Sequence, residues 1–367
     1  MKDIFVWSID SKYRCKNQAV REMFDRPIWH DWIEFEIRWM KRQLDPAEYN
    51  EFASHFDSIS GFSPDALEWA TYHDECLKPG SHEMVALLDR MADKIPAKWH
   101  RYLHRGLTSS NVIDSCNHYR WNVLITAYEA AIGEYRHVVG NRYPGNVAFT
   151  LIPGFTHGRR ASHTTIMQRI NCDFKVSQPF LKNEVLDEVV TGGPTGLEHS
   201  DHRQAEYRFT YWPIWLWLAQ HSAAIDQVAY DYRLYCSDLF CGVIGCQAPD
   251  QFTVSSAMPS KRNPSGFEQV MSIGLMIRGL VCNLLQTPPF LLDRDLVHSA
   301  LERDTIPRLW EYAFYQVERM TELVATTNLE IKPGVQRKLS EDVMRARLDA
   351  GDDWFTARGK ASKYPAG

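Results

Sequence analysis

Residues 255–268 read SSAMPSKRNPSGFE: two adjacent hydroxyls, followed six and eight residues after Ser255 by an ammonium, Lys261, and an amide, Asn263. Pro259, Pro264 and Gly266 forbid a regular helix through most of the stretch, so a loop is expected. A hydroxyl can take a proton, and an ammonium and an amide can hold the negative charge its removal creates. Three more stretches carry chemistry near expected helix ends. GSHEMV starts a helix at His82. HRGLTSSNVIDS brings Thr108, Ser109, Ser110 and Asn111 to a helix N-terminus, where hydroxyls and unpaired N–H groups make an anion site. GFTHGRRASHTT sets His157, a ring that titrates near neutrality, between Thr156 and Gly158. Taken singly, each also has an ordinary reading: a capping or core histidine, a helix cap, a solvated Lys261–Arg262 pair.

The elements that must position these groups are mainly helices. Apolar residues at three- and four-residue spacings predict helices over about 21–42, 45–57, 63–76, 82–95, 109–140, 161–188, 201–236, 265–286 and 299–327. Short extended pieces are expected at 146–154 and 188–196. The fold class is therefore all-α, an elongated bundle of long helices. The expected division is an N-terminal helical domain (1–105), a central bundle (106–327) and a shortened C-terminal region (328–367), the last polar and weakly periodic.

Composition narrows the function. The chain has 367 residues, and its net charge of −5 offers no nucleic-acid footprint. No apolar run is long enough to cross a membrane, and the first residues lack the apolar core of a secretory signal, so a cytoplasmic protein is expected. The eight cysteines are scattered. Even Cys236, Cys241 and Cys246 read as buried thiols rather than metal ligands, so no metal or cofactor is expected.

In this order the stretches resemble the aspartase/fumarase superfamily, and within it the adenylosuccinate lyase branch. SSAMPSKRNPSGFE matches that family's SSxMPxKxNPxxxE loop in full. TSSNVIDS, THGRRA and GSHEMV are similar to three more of its motifs, and DRDLVHSALERDTIP (293–307) to a fifth. The resemblance implies a lyase that releases fumarate from an N-succinyl purine nucleotide by β-elimination. By family position Ser255 is the base, with Ser256 as the alternative hydroxyl, and Lys261 and Asn263 bind the substrate carboxylate. His157 is the general acid, Glu268 orients a histidine, and His82 contacts the substrate or His157. Thr108, Ser109 and Ser110 hold a carboxylate, joined in the substrate site by Asn111 and Thr156. Ser299 and Arg303 bind the nucleotide phosphate, Arg294 faces the substrate, and Lys12 and Tyr13 assist. The resemblance further implies a homotetramer whose sites draw on three subunits.

The chain departs from the pattern at several points. Val254 replaces a glycine before the serine pair, Phe155 replaces an arginine, Arg159 stands where an amide is usual, and Lys12 replaces an arginine. These changes touch the periphery of the nucleotide pocket. They leave open a lyase for another N-succinyl compound, or a silent paralogue serving as an assembly subunit.

Overall fold

The computed structural model describes residues 13–25, 28–57, 75–76, 78–142, 148–152, 159–162, 208–237, 244–247, 252–258, 260–287, 297–331, 340–361 and 363. The expected helix over 21–42 is two helices, α1 (Gln18–Asp25) and α2 (Trp29–Gln43). Pro27 falls between them in sequence, and a proline has no N–H to continue a helix. Next come α3 (Pro46–Asp57), α4 (Glu83–Lys94) and α5 (Ser109–Arg142), the longest. At a rise of 1.5 Å per residue, α5 is roughly 50 Å long. Its beginning and its remainder belong to different cores. Val112 and Cys116 are buried with Trp32, Trp39 and Met40 of α2 and with Met84 and Leu87 of α4.

Further along, Trp121, Tyr128 and Tyr135 join a second core, shared among the described residues by four bundled helices. Its other members are α6 (Trp212–Tyr235), α7 (Ser265–Leu284) and α8 (Ser299–Thr326). Aromatic contacts fix the directions. Trp121 meets Trp215 and Tyr128 meets Trp217, so α5 and α6 run parallel. Tyr128 also meets Trp310 and Phe314, and Arg142 at the end of α5 bonds Asn328 just beyond α8, so α8 is parallel to both. By contrast, Tyr232 near the end of α6 stacks on Phe267 at the start of α7, while Arg278 reaches back to Ser222. Only α7 runs the other way among these four.

Polar groups lock the centre. Asp226 of α6 pairs with Arg278 of α7 at 2.7 Å and accepts from Gln316 Nε2 of α8 at 2.8 Å. Gly274 makes room for this cluster: a Cβ there would lie 2.3 Å from Asp226 Oδ1.

Helix α6 starts later than the expected 201. Arg208–Tyr211 forms a 3-10 turn, and Pro213 then occupies the first turn of α6, where a missing N–H costs nothing. Among the described residues there are three two-stranded antiparallel ladders. β1 (Ala148–Ile152) pairs with β2 (Arg159–Ser162), β3 (Ile244–Gln247) with β6 (Asn328–Ile331), and β4 (Thr253–Val254) with β5 (Arg262–Asn263). β2 corrects the expectation that a helix begins near 161; the remainder of that helix and the piece at 188–196 lie outside the described residues. The C-terminal region, read from its weak periodicity as a tail or a small cap, contains two helices, α9 (Ser340–Asp349) and α10 (Trp354–Ala361). No described helix is long and apolar enough to cross a membrane.

Candidate active site

The opening loop is a closed hairpin. β4 and β5 pair Thr253 with Asn263 and Val254 with Arg262, and just beyond them the Ser255 N–H donates to the Lys261 carbonyl at 3.3 Å. The six-residue spacing between hydroxyl and ammonium is thus folded back, and the two residues sit across the ladder's end. Within the turn, Ser255 Oγ accepts from the N–H of Met258 at 3.1 Å and of Ala257 at 3.3 Å. Thr253 Oγ1 and Ser265 Oγ tie β4 to the start of α7.

Gly266, expected in a loop, instead lies buried in the first turn of α7. A Cβ there would lie 2.7 Å from Leu323 Cδ2, so the glycine lets α7 close onto α8. Glu268, one turn into contact range on the same helix, pairs with Arg233 Nε of α6 at 2.9 Å. His157, the expected general acid, lies outside the described residues, as do Thr156, Arg294 and Lys12. Arg159 is described only as backbone, at the start of β2.

The remaining candidates gather where α4, α5 and α8 begin. His82 caps α4: its Nδ1 accepts from Met84 N–H at 3.2 Å. A ring accepting at Nδ1 carries its proton, when neutral, on Nε2, where it can donate to a ligand. At the start of α5, Ser109 and Ser110 are buried, and Asn111 Oδ1 accepts from both N–H and Oγ1 of Thr108, at 2.8 and 2.9 Å. The Asn111 oxygen therefore shapes the helix entry. On α8, Arg303 donates in bidentate fashion to Glu83, the residue after His82. Arg303 and Tyr13 line one cavity of about 240 Å³ with Asp304, Pro307, Arg308, Glu311 and Tyr312. Ser299 is the first residue of α8.

Beneath them lies a buried ion cluster. Arg208, in the 3-10 turn before α6, donates to Asp114 of α5 at 3.0 Å and pairs with Glu302 of α8 at 2.8 Å. Burial alone would pull the Arg208 pKa down, but the two carboxylates outweigh it and hold the guanidinium charged. Burial pushes the Glu302 carboxyl up to about 7; Arg208 opposes this and Asp114 adds to it. One guanidinium cannot neutralise two buried carboxylates, so the proton near neutrality resides on Glu302.

Among the described residues the two sets of candidates lie toward opposite ends of α8. Gly266 packs on Leu323, twenty residues along α8 from Arg303, which is roughly 30 Å at 1.5 Å per residue.

No protein-family model matches the chain. Among curated proteins it is similar to the adenylosuccinate lyase of Staphylococcus saprophyticus, with 25% identity over 333 residues covering 81% of this chain and 74% of that one. Among solved structures it resembles a fumarate lyase from Mesorhizobium sp. BNC1, with a TM-score of 0.68 and 15% identity over 94% of this chain and 84% of that one. It also resembles the 3-carboxy-cis,cis-muconate lactonizing enzyme of Pseudomonas putida, with a TM-score of 0.66 and 15% identity over 97% of this chain and 86% of that one. The chain therefore has the fold of these lyases and is similar in sequence to an adenylosuccinate lyase.

Four charged residues to which the motif reading gave no role complete the picture: Glu83, Arg208, Arg233 and Glu302. Their partners lie 35 to 220 residues away in sequence, a separation no local pattern reveals. The described residues contain no cluster of three or more side chains able to hold a metal.

Proposed function

We infer that the protein is a carbon–nitrogen lyase that releases fumarate from an N-succinyl purine nucleotide, as in adenylosuccinate. What supports the reading most is the turn around Ser255. A serine hydroxyl is far too weakly acidic to act as a base unless its anion is stabilised. The Ala257 and Met258 N–H groups already point at Ser255 Oγ, with the Lys261 segment across the ladder.

In the proposed reaction Ser255 removes a proton from the carbon beside a carboxylate. Lys261 and Asn263 hold that carboxylate as its charge grows, and the electron pair forms the double bond as the C–N bond breaks. His157 gives the departing nitrogen its proton, and fumarate and the free amine leave. Ser109 and Ser110 offer hydroxyls and helix N–H groups to a carboxylate. Arg303, Ser299 and Tyr13 take the phosphate, with His82 donating from Nε2. Because the Ser255 and Arg303 ends are about 30 Å apart along α8, the reading includes a homo-oligomer, a homotetramer by resemblance, in which other copies complete each site.

The test is to incubate the purified protein with adenylosuccinate and its succinylated imidazole-carboxamide analogue and to measure fumarate. Release from either supports the reading; none from both overturns it. A second reading, a lyase for an N-succinyl compound without phosphate, is favoured by Glu83, which already occupies the Arg303 guanidinium. Fumarate from a phosphate-free succinyl amine at a higher kcat/KM than from adenylosuccinate selects it.

A further inference from the structure

Glu302 has no part in the reaction above, yet it is half-buried one residue from Arg303 and bound into the Asp114–Arg208 cluster. With Glu302 protonated the cluster is neutral: one guanidinium against one carboxylate. With Glu302 ionised it carries one net negative charge, poorly screened because all three side chains are largely buried, at 12 to 17% exposure. On α8 itself the neighbours are the buried His298 and Arg303, and Arg303 is held by Glu83 of α4. On α5 the next turn offers the buried His118, whose Nε2 bonds Tyr211 Oη beyond Arg208.

We propose that Glu302 is a positioning residue that sets how strongly the Arg303 end of the site holds an anion, tightly when the Asp114–Arg208–Glu302 cluster is neutral and weakly when it is charged. The proposal rests on the reading of Arg303 as an anion ligand and assigns that site a regulation of its own. The burial of Glu302 places the change close to neutrality, where its carboxyl is pushed up to about 7.

The experiment needs no turnover, so its outcome is separate from that of the lyase reading. Sulfate, which remains dianionic over this range, serves as the probe, and its binding is read from protection against thermal unfolding at pH 6 and pH 8. Wild type, Glu302→Gln and Arg303→Ala are compared. The glutamine variant keeps the size and hydrogen-bonding capacity of Glu302 and removes its titration. The expected result is protection that depends on Arg303, with wild-type affinity falling by roughly threefold to tenfold more between pH 6 and pH 8 than that of Glu302→Gln, the effect of one nearby buried charge. Equal pH dependence in wild type and Glu302→Gln overturns the proposal, as does protection that survives unchanged in Arg303→Ala. If Glu302→Gln fails to fold, Glu302→Ala takes its place under the same criterion.

Discussion

Arg303 and Glu83 form a bidentate pair across 220 residues of sequence, joining the start of α8 to the start of α4 beside His82. The guanidinium is therefore occupied by a carboxylate, and an anionic ligand must displace it. Glu83→Gln is expected to lower the KM for a phosphorylated substrate severalfold. Arg303→Ala is expected to raise it roughly ten- to a hundredfold, the worth of a charge-assisted pair. The same two variants tested on the dephosphorylated nucleoside should show no such change; identical ratios on both substrates would remove the phosphate from Arg303.

Ser255→Ala is expected to lower kcat by about 10²–10⁴ while leaving KM within a few-fold, since a base acts only in the transition state. The variant also loses the two turn hydrogen bonds to Ala257 and Met258, so its melting temperature is measured alongside. A variant that melts with the wild type yet keeps full turnover transfers the assignment to Ser256.

The 30 Å between the Ser255 and Arg303 ends makes a mixing experiment decisive. Ser255→Ala and Arg303→Ala, each strongly impaired when assayed at substrate well below the wild-type KM, are denatured together and refolded. Activity should reappear well above either parent, because some mixed sites receive both intact residues. No recovery, with mixed oligomers demonstrated by mass, would mean that one chain builds the whole site.

Glu302 gives stability a defined pH dependence. Its folded value of about 7 lies above the ordinary 4.5, so the folded state favours the protonated form. The stabilisation is fully present below pH 4.5 and is lost as pH rises through 7. Denaturant unfolding at pH 5 and pH 8 should show wild type losing on the order of 2–3 kcal/mol relative to Glu302→Gln. A difference independent of pH would show that Glu302 is ionised throughout.

Gly274→Ala tests the packing at the centre of the bundle. Its Cβ would stand 2.3 Å from Asp226 Oδ1, so either α6 and α7 separate or the Asp226–Arg278 pair rearranges. The expected cost is about 1–3 kcal/mol, or more if the ion pair is broken. Chemical denaturation measures it; an unchanged midpoint would mean the helices yield freely.

The long helices were legible because their apolar residues recur with helical period, and the hairpin's residues because their types are unusual together. The two C-terminal helices were not. α10 buries only Ala357 and Ala361 and exposes Trp354 and Phe355, so its inward face is small and its large side chains give the wrong pattern. The Pro27 break was visible in the letters but masked by apolar spacing that continues in phase on both sides. Glu83, Arg208, Arg233 and Glu302 escaped because an isolated charge on a helix looks the same whether it meets water or a distant partner. Gly266 looked like loop chemistry, and only the approach of Leu323 shows it as a packing residue.

The shared membership of α5 in two cores has a consequence for synthesis on the ribosome. The cluster of α2, α4 and the start of α5 is complete once Cys116 has emerged, whereas Trp121, Tyr128 and Tyr135 need Trp215, Trp310 and Phe314. At 5–20 residues per second, about 9–36 s separate translation of Tyr135 from that of Phe314. Until α6 and then α8 follow, the apolar stripe on this finished helix lacks part of its partners. Nascent chains stalled after Arg142 are therefore expected to hold chaperones that chains stalled after Ile331 release, and ribosome-bound chaperone capture at the two lengths measures the difference.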